Sequence, residues 1–250
     1  MDSHQYVQRY TLIVLLFLGI AGTIAAVAYA LMQRVVAVDL PSLVDTAVLR
    51  QDLTVCSGGK DEPSKKGCYE QAYPVVAKLD TCTRIPYTDV SETCRAYFAN
   101  IDQLRTRAEG LRQKFTYESV QLELTMKDGT KKRVTALVAD DDAKRVQGLS
   151  YVPAMGANEG MLFVFPDVMK DMAFHMKDML MPLDIIYLTK DWVPVQSFRN
   201  AVSCAGSPAE PCPLLLRRGN DVQYVLEIAP QGKEVLGVQL LDSKEIPAGS

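Results

Sequence analysis

The chain has 250 residues, room for one large domain or two small ones, and its 27 basic and 30 acidic side chains leave a formal charge of −3. A balance this close to neutral excludes the basic footprint by which nucleic-acid-binding proteins hold phosphates. Six cysteines against two histidines, His4 and His175, with no tight Cys-x-x-Cys pair, argue against a zinc site, although the thiols leave that alternative open.

Residues 1–9 form a short tail. From Tyr10 to Met32 the sequence YTLIVLLFLGIAGTIAAVAYALM carries no Asp, Glu, Lys, Arg or His. As a helix it would reach about 35 Å, more than the roughly 30 Å of a bilayer's hydrocarbon core. It lacks the polar stripe of a soluble amphipathic helix. Residues 10–32 are therefore expected to be a transmembrane anchor in contact with lipid. A cleaved signal peptide is the competing reading, because Ala28-Tyr29-Ala30 has the small-x-small form that precedes cleavage. Flanking charge does not orient the span, since Arg9 on one side is matched by Arg34 on the other.

Cysteine usage orients it better. Cys56, Cys68, Cys82, Cys94, Cys204 and Cys212 all follow the apolar run, and their number is even. That fits disulfides in an oxidising compartment, periplasmic or otherwise extracytoplasmic, with the N-terminus on the cytoplasmic side.

Residues 33–115 are read as a cysteine-containing helical segment. A short helix is expected in DLPSLVDTAVLRQ, with Asp39 or Ser42 near its start. The polar stretch CSGGKDEPSKKGC is expected to be a loop closed by Cys56 and Cys68. Cys82 and Cys94 repeat that spacing, so local pairs are favoured over the nested arrangement of Cys56 with Cys94 and Cys68 with Cys82. From Asp89 onward, Val90, Cys94, Tyr97, Ile101, Leu104, Ala108, Leu111 and Phe115 recur at intervals of three and four. They predict an amphipathic helix of about 25 residues, packed on its own domain or offered to a partner.

At Tyr117 the period changes to two. Val120, Leu122, Leu124 and Met126 alternate with polar residues, Asp128-Gly129 makes a turn, and KRVTALVA returns. Further strands are expected at 161–165, 172–176, 183–188, 192–198 and 222–228. Two short helices are expected, at 141–147 and 231–236. Residues 116–243 thus read as a β-rich domain in an α+β protein, followed by a tail at 244–250. Cys204 and Cys212 bracket AGSPAEP, and a structural disulfide closing that loop is expected.

The phrases RVQGLSYVP, EGMLFVFP, AFHMKDMLMPLDIIYL, the Cys204–Cys212 interval ending PCP, and YVLEI occur in one order. This series closely resembles the bacterial and archaeal family known as domain of unknown function 192, over residues of about 118 to 242. The resemblance implies a compact, barrel-like β fold and brings no established reaction. Two positions depart from the family pattern, His175 where tryptophan is usual and Asp178 where asparagine is usual.

Within these motifs Gly160 enters a buried strand that Pro166 is expected to end. Asp184 interrupts the apolar strand 183–188, and a carboxylate there must find donors. Lys177 and Asp184 are the polar pair expected to converge, either as a structural clamp or at the mouth of a small pocket with Glu159, His175 and Asp178. No nucleophile elbow, phosphate loop, cofactor motif or zinc motif is present, so catalysis is not the expected role. The sequence points to a membrane-anchored, non-catalytic binding or interaction module of the cell envelope. An accessory subunit of a membrane complex is the alternative, and an enzyme with a carboxylate/Lys site a third.

Overall fold

The computed structural model describes residues 40–76, 78–108, 110–112, 114–204 and 212–241. Among these no helix is long and apolar enough to cross a membrane, and the expected span at 10–32 lies outside them, as do the tails at 1–9 and 244–250.

Helices come first. Helix α1 (Leu40–Arg50) buries Leu43, Val44, Ala47 and Val48 on one face. A 3-10 turn (Leu53–Gly58) is capped by Asp52, whose carboxylate accepts from the Thr54 N–H. Helix α2 (Glu62–Val76) begins inside the stretch expected to be a loop. The Asp61 carboxylate accepts from the Ser64 N–H at 2.8 Å, and Pro63 falls in the first turn, where a missing N–H costs nothing. The local cap therefore prevails over the composition of the segment. Helix α3 (Thr88–Ala108) is shorter than the apolar repeat suggested. Gly110, at φ +87°, turns the chain, and Phe115 instead meets Tyr117 edge-on at 6.1 Å.

Disulfides join Cys56 to Cys68 and Cys82 to Cys94, the local arrangement, and Cys204 to Cys212. The first two pin the 3-10 turns at 53–58 and 79–84 to α2 and α3.

Among the described residues seven strands follow: β1 (Ser119–Met126), β2 (Lys131–Ala139), β3 (Glu159–His175), β4 (Leu183–Leu188), β5 (Pro194–Ala201), β6 (Leu214–Ile228) and β7 (Val235–Leu240). They form one sheet in the order β5-β4-β6-β3-β2-β1-β7, which curls until β5 and β7 approach each other as a nearly closed barrel. Every pairing is antiparallel except β2 with β3. That parallel pair needs a crossover, and the connection carries helix α4 (Asp142–Gln147), capped by the Asp141 carboxylate on the Lys144 N–H.

Three expectations change here. The strands foreseen at 161–165 and 172–176 are two halves of β3, whose register against β6 shifts between Val164 and Met172. Pro166 lies in that irregular stretch, where its missing N–H leaves no ladder bond unmade, so it bends the strand without ending it. The segment foreseen as a helix at 231–236 is a bend leading into β7, because pairing of Val238 with Leu124 covers the edge of β1.

Alternation sorts the apolar side chains into two cores. Leu122, Leu124, Val134, Ala136, Leu162, Ile186, Leu226 and Ile228 fill the barrel interior. Met161, Phe163, Ile185, Tyr187 and Val225 point to the outer face, where Leu149, Met172, Met176 and Met179 cover them. Strand β4 is buried on both faces, which explains its nearly unbroken apolar sequence. Helix α1 leans on the turn before β7, where a Cβ on Gly232 would stand 2.9 Å from that of Leu49, and Asp45 pairs with Arg199.

Candidate functional site

On the outer face of β6, Glu227 stands between Met161 of β3 and Ile185 of β4, its direct neighbours across the ladder. It is 4 % exposed, and among the described residues its carboxyl has no hydrogen-bond or ion-pair partner. Burial alone pushes its pKa up to about 8, so the acid is mostly protonated at neutral pH.

This carboxyl lines a cavity of about 510 Å³. Three elements build its walls. Outer-face residues of β3 supply Phe163 and Phe165. The far half of the same strand folds back and supplies Met172, Ala173 and Phe174. Helix α4 and the turn after it supply Arg145 and Leu149. Phe174 lies edge-on to Phe163 at 5.0 Å and to Tyr187 at 5.9 Å, which fixes the folded-back half. The Tyr187 hydroxyl donates to the Leu215 carbonyl at 2.5 Å.

Gly148 allows the turn to close over this wall. Its φ is +47°, and a Cβ there would stand 3.3 Å from the Phe163 ring. Arg145 faces the cavity but is engaged, donating to the Val164 carbonyl at 2.7 Å and to Asp142, with its guanidinium 5.4 Å from the Phe165 ring centre. At the rim stand Lys170, Asp171, His175 and Val146, the last 86 % exposed.

The residues singled out in the sequence do not gather here as a group. His175 reaches the cavity rim. Lys177 is exposed, its backbone N–H donating to His175 Nδ1 at 3.3 Å, and it makes no ion pair with Asp184. Asp178 holds the neighbouring turn: its carbonyl accepts from the Tyr151 N–H at 2.9 Å, and its φ of +61° is one that Asp and Asn tolerate. Either residue therefore suits that backbone. Glu159 is exposed and accepts from the Gly156 N–H at 2.7 Å. It begins β3, whereas His175 ends it.

Asp184 is 2 % exposed and acts as a clamp. One oxygen accepts from the Asn200 N–H at 2.8 Å and the other from the Gln231 N–H at 2.9 Å. Asn200, at φ +53°, sits where the register of β5 shifts against β4, so its N–H leaves the ladder and needs this acceptor. Burial raises the Asp184 pKa to about 6, opposed by those two N–H groups and by Arg199. The expected convergence of Lys177 and Asp184 is thus replaced by a backbone clamp, because β4 points Asp184 toward β5 and the turn before β7.

Glu227 was the residue that motif reading passed over. One signal marked it: a lone carboxylate on the apolar strand VQYVLEI, in a chain segment that places no basic residue nearby. Among the described residues no group of three or more His, Cys, Asp or Glu side chains is placed to hold a metal ion.

No curated protein matches the chain. A structure from Sinorhizobium meliloti 1021, carrying the working label of a transcription regulator, is 25% identical over 51% of this chain and 98% of that one, with a TM-score of 0.44. A protein of unknown function from Novosphingobium aromaticivorans DSM 12444 is 23% identical over 53% of this chain and 95% of that one, with a TM-score of 0.41. Residues 123–243, which take in most of the curled sheet with both its cores and Glu227, match the family of domain of unknown function 192, described as Uncharacterized ACR.

Proposed function

We propose that this protein is a membrane-anchored, extracytoplasmic, non-catalytic binding module whose β-domain captures a small, largely apolar ligand in the cavity over Glu227. The observation that carries the reading is a carboxyl with no partner among the described residues, in an apolar core that opens to an aromatic and methionine-lined cavity. An unsatisfied buried polar group costs on the order of a few kcal/mol, and a ligand that meets it recovers that cost on binding. The apolar run at 10–32 supports the anchor, and three disulfides support an oxidising compartment.

The alternative of an accessory subunit drew on the apolar stripe of α3. Val90, Cys94, Tyr97 and Ile101 are buried within this chain, so the stripe is not offered to a partner, and the contacts of such a subunit fall to the transmembrane segment. The enzyme alternative required a carboxylate/Lys site, and Lys177 and Asp184 do not meet.

A fragment screen on the full chain in nanodiscs, read by thermal shift and ligand-observed NMR, tests the binding role. Ala173→Trp, which fills the cavity, is expected to abolish the hits while leaving the melting temperature unchanged. Hits that persist in that variant would locate binding elsewhere. For the topology, a C-terminal alkaline phosphatase fusion is expected to be active, and a fluorescent cytoplasmic reporter at the same position dark.

A further inference from the structure

We propose that the cavity over Glu227 takes a small primary amine with an aromatic or branched apolar body, its ammonium paired with the Glu227 carboxylate and its body packed among Phe163, Phe174, Met172 and Met179. This rests on the binding role of that cavity and names the class of ligand.

The chemistry of the lining selects an amine over its rivals. Among the described residues no donor reaches this buried carboxyl, and for its ionised form an ammonium offers three N–H groups together with the opposite charge. Aromatic faces attract cations, and this wall already holds one, since the Arg145 guanidinium lies 5.4 Å from the Phe165 ring centre. Phe163 and Phe174 remain for a ligand. An anionic ligand would compete with Glu227 for one proton, and once that proton leaves the two like charges repel. A neutral alcohol offers one donor and no charge, so it gains less from an ionised Glu227 than an ammonium does.

Binding an ammonium requires the carboxylate form. The acid's proton therefore leaves Glu227 for solvent while the ligand keeps its own three, so charge and protons balance. Groups that face the site from each element packed around it are Tyr187 on β4, Asp142 and Arg145 on α4, and Lys170, Asp171 and His175 on the folded-back half of β3. Asp142 is already paired with Arg145.

The test is titration calorimetry on the full chain in nanodiscs with three matched probes: phenethylamine, 2-phenylethanol and 3-phenylpropionate. Repeating the amine titration in buffers of different ionisation enthalpy counts protons. Phenethylamine is expected to bind at least 10-fold tighter than the alcohol, releasing about one proton at pH 7, with affinity rising about 10-fold from pH 6 to pH 7 and levelling above pH 8. The propionate is expected not to bind. Glu227→Gln should erase the amine preference and the proton release while keeping the alcohol's affinity. If that variant does not fold, the proton count and pH profile of the native chain decide alone. An alcohol that binds as well as the amine, or amine binding without proton release, overturns the amine assignment and leaves the binding role intact. Failure of all three probes to bind overturns both.

Discussion

Phe174 meets Phe163 edge-on at 5.0 Å, although the two stand eleven residues apart on one strand. A straight strand would hold them about 36 Å apart. The bend through the irregular stretch around Pro166 brings the end of β3 back over its own beginning and makes a cavity from what would otherwise be an exposed sheet face.

Removing that contact is expected to open the site. Phe174→Ala should cost about 2 kcal/mol in chemical denaturation, less than a fully buried Phe because the ring is half-buried, and should abolish ligand binding. A variant that binds normally would show that the folded-back half is not a wall of the site.

Glu227 makes stability depend on pH in a definite direction. Its folded pKa of about 8 lies above the ordinary 4.5, so the folded state holds its proton more tightly than the unfolded chain. Stability associated with this group is fully present below pH 4.5 and declines as pH rises toward 8, by on the order of a few kcal/mol. Glu227→Gln is expected to remove that decline, so that the variant melts above the native protein at pH 8. Identical pH profiles for the two would show that Glu227 titrates normally.

Asp184 and Lys177 are expected to behave unequally. Asp184→Asn turns one acceptor into a donor that faces a backbone N–H, and should destabilise by about 1–3 kcal/mol. Lys177→Ala, at an exposed position without an ion pair among the described residues, should stay within about 0.5 kcal/mol of native. Equal losses in urea titrations would restore the pairing of these residues.

Gly160 is held to glycine by its neighbours across the ladder. A Cβ would stand 2.7 Å from the Glu227 carbonyl oxygen and 2.8 Å from Ile228 Cγ2, so Gly160→Ala must push apart the strands that carry the site. A loss of about 2 kcal/mol or more is expected. Gly58→Ala meets nothing within 4 Å and serves as the neutral comparison. The measurement is the urea midpoint of each.

Reduction should act locally. The Cys56–Cys68 and Cys82–Cys94 bonds each span 12 residues and lie wholly in the helical part. Each is expected to contribute about 2–3 kcal/mol there. Hydrogen exchange after reduction should rise across residues 53–94 while β1, β2 and β6 stay protected. Loss of protection throughout would show that the helices and the barrel fold as one unit.

Much of this protein follows from local chemistry that one sequence displays. The two-residue period of β1 and β2, the Asp128-Gly129 turn with Gly129 at φ +80°, and the apolar strand at 183–188 appear as their patterns require. So do the short helix beginning beside Asp141 and the close cysteine pairs. In each case the partners lie within about a dozen residues, where spacing and side-chain type fix the outcome.

What only the tertiary structure decided depends on residues that are far apart in the chain. Residues 231–236 became a bend and the start of a strand because β1 had an open edge. Asp184 found its donors at Asn200 and Gln231, not at Lys177, because β4 points it there. Glu227 is one acid among the chain's 30 Asp and Glu residues, and its strand VQYVLEI marks it as a lone carboxylate without showing what covers it. Only when β3 folds back over β6 is the same side chain enclosed by apolar walls with no partner among the described residues, and that burial is the source of its chemistry.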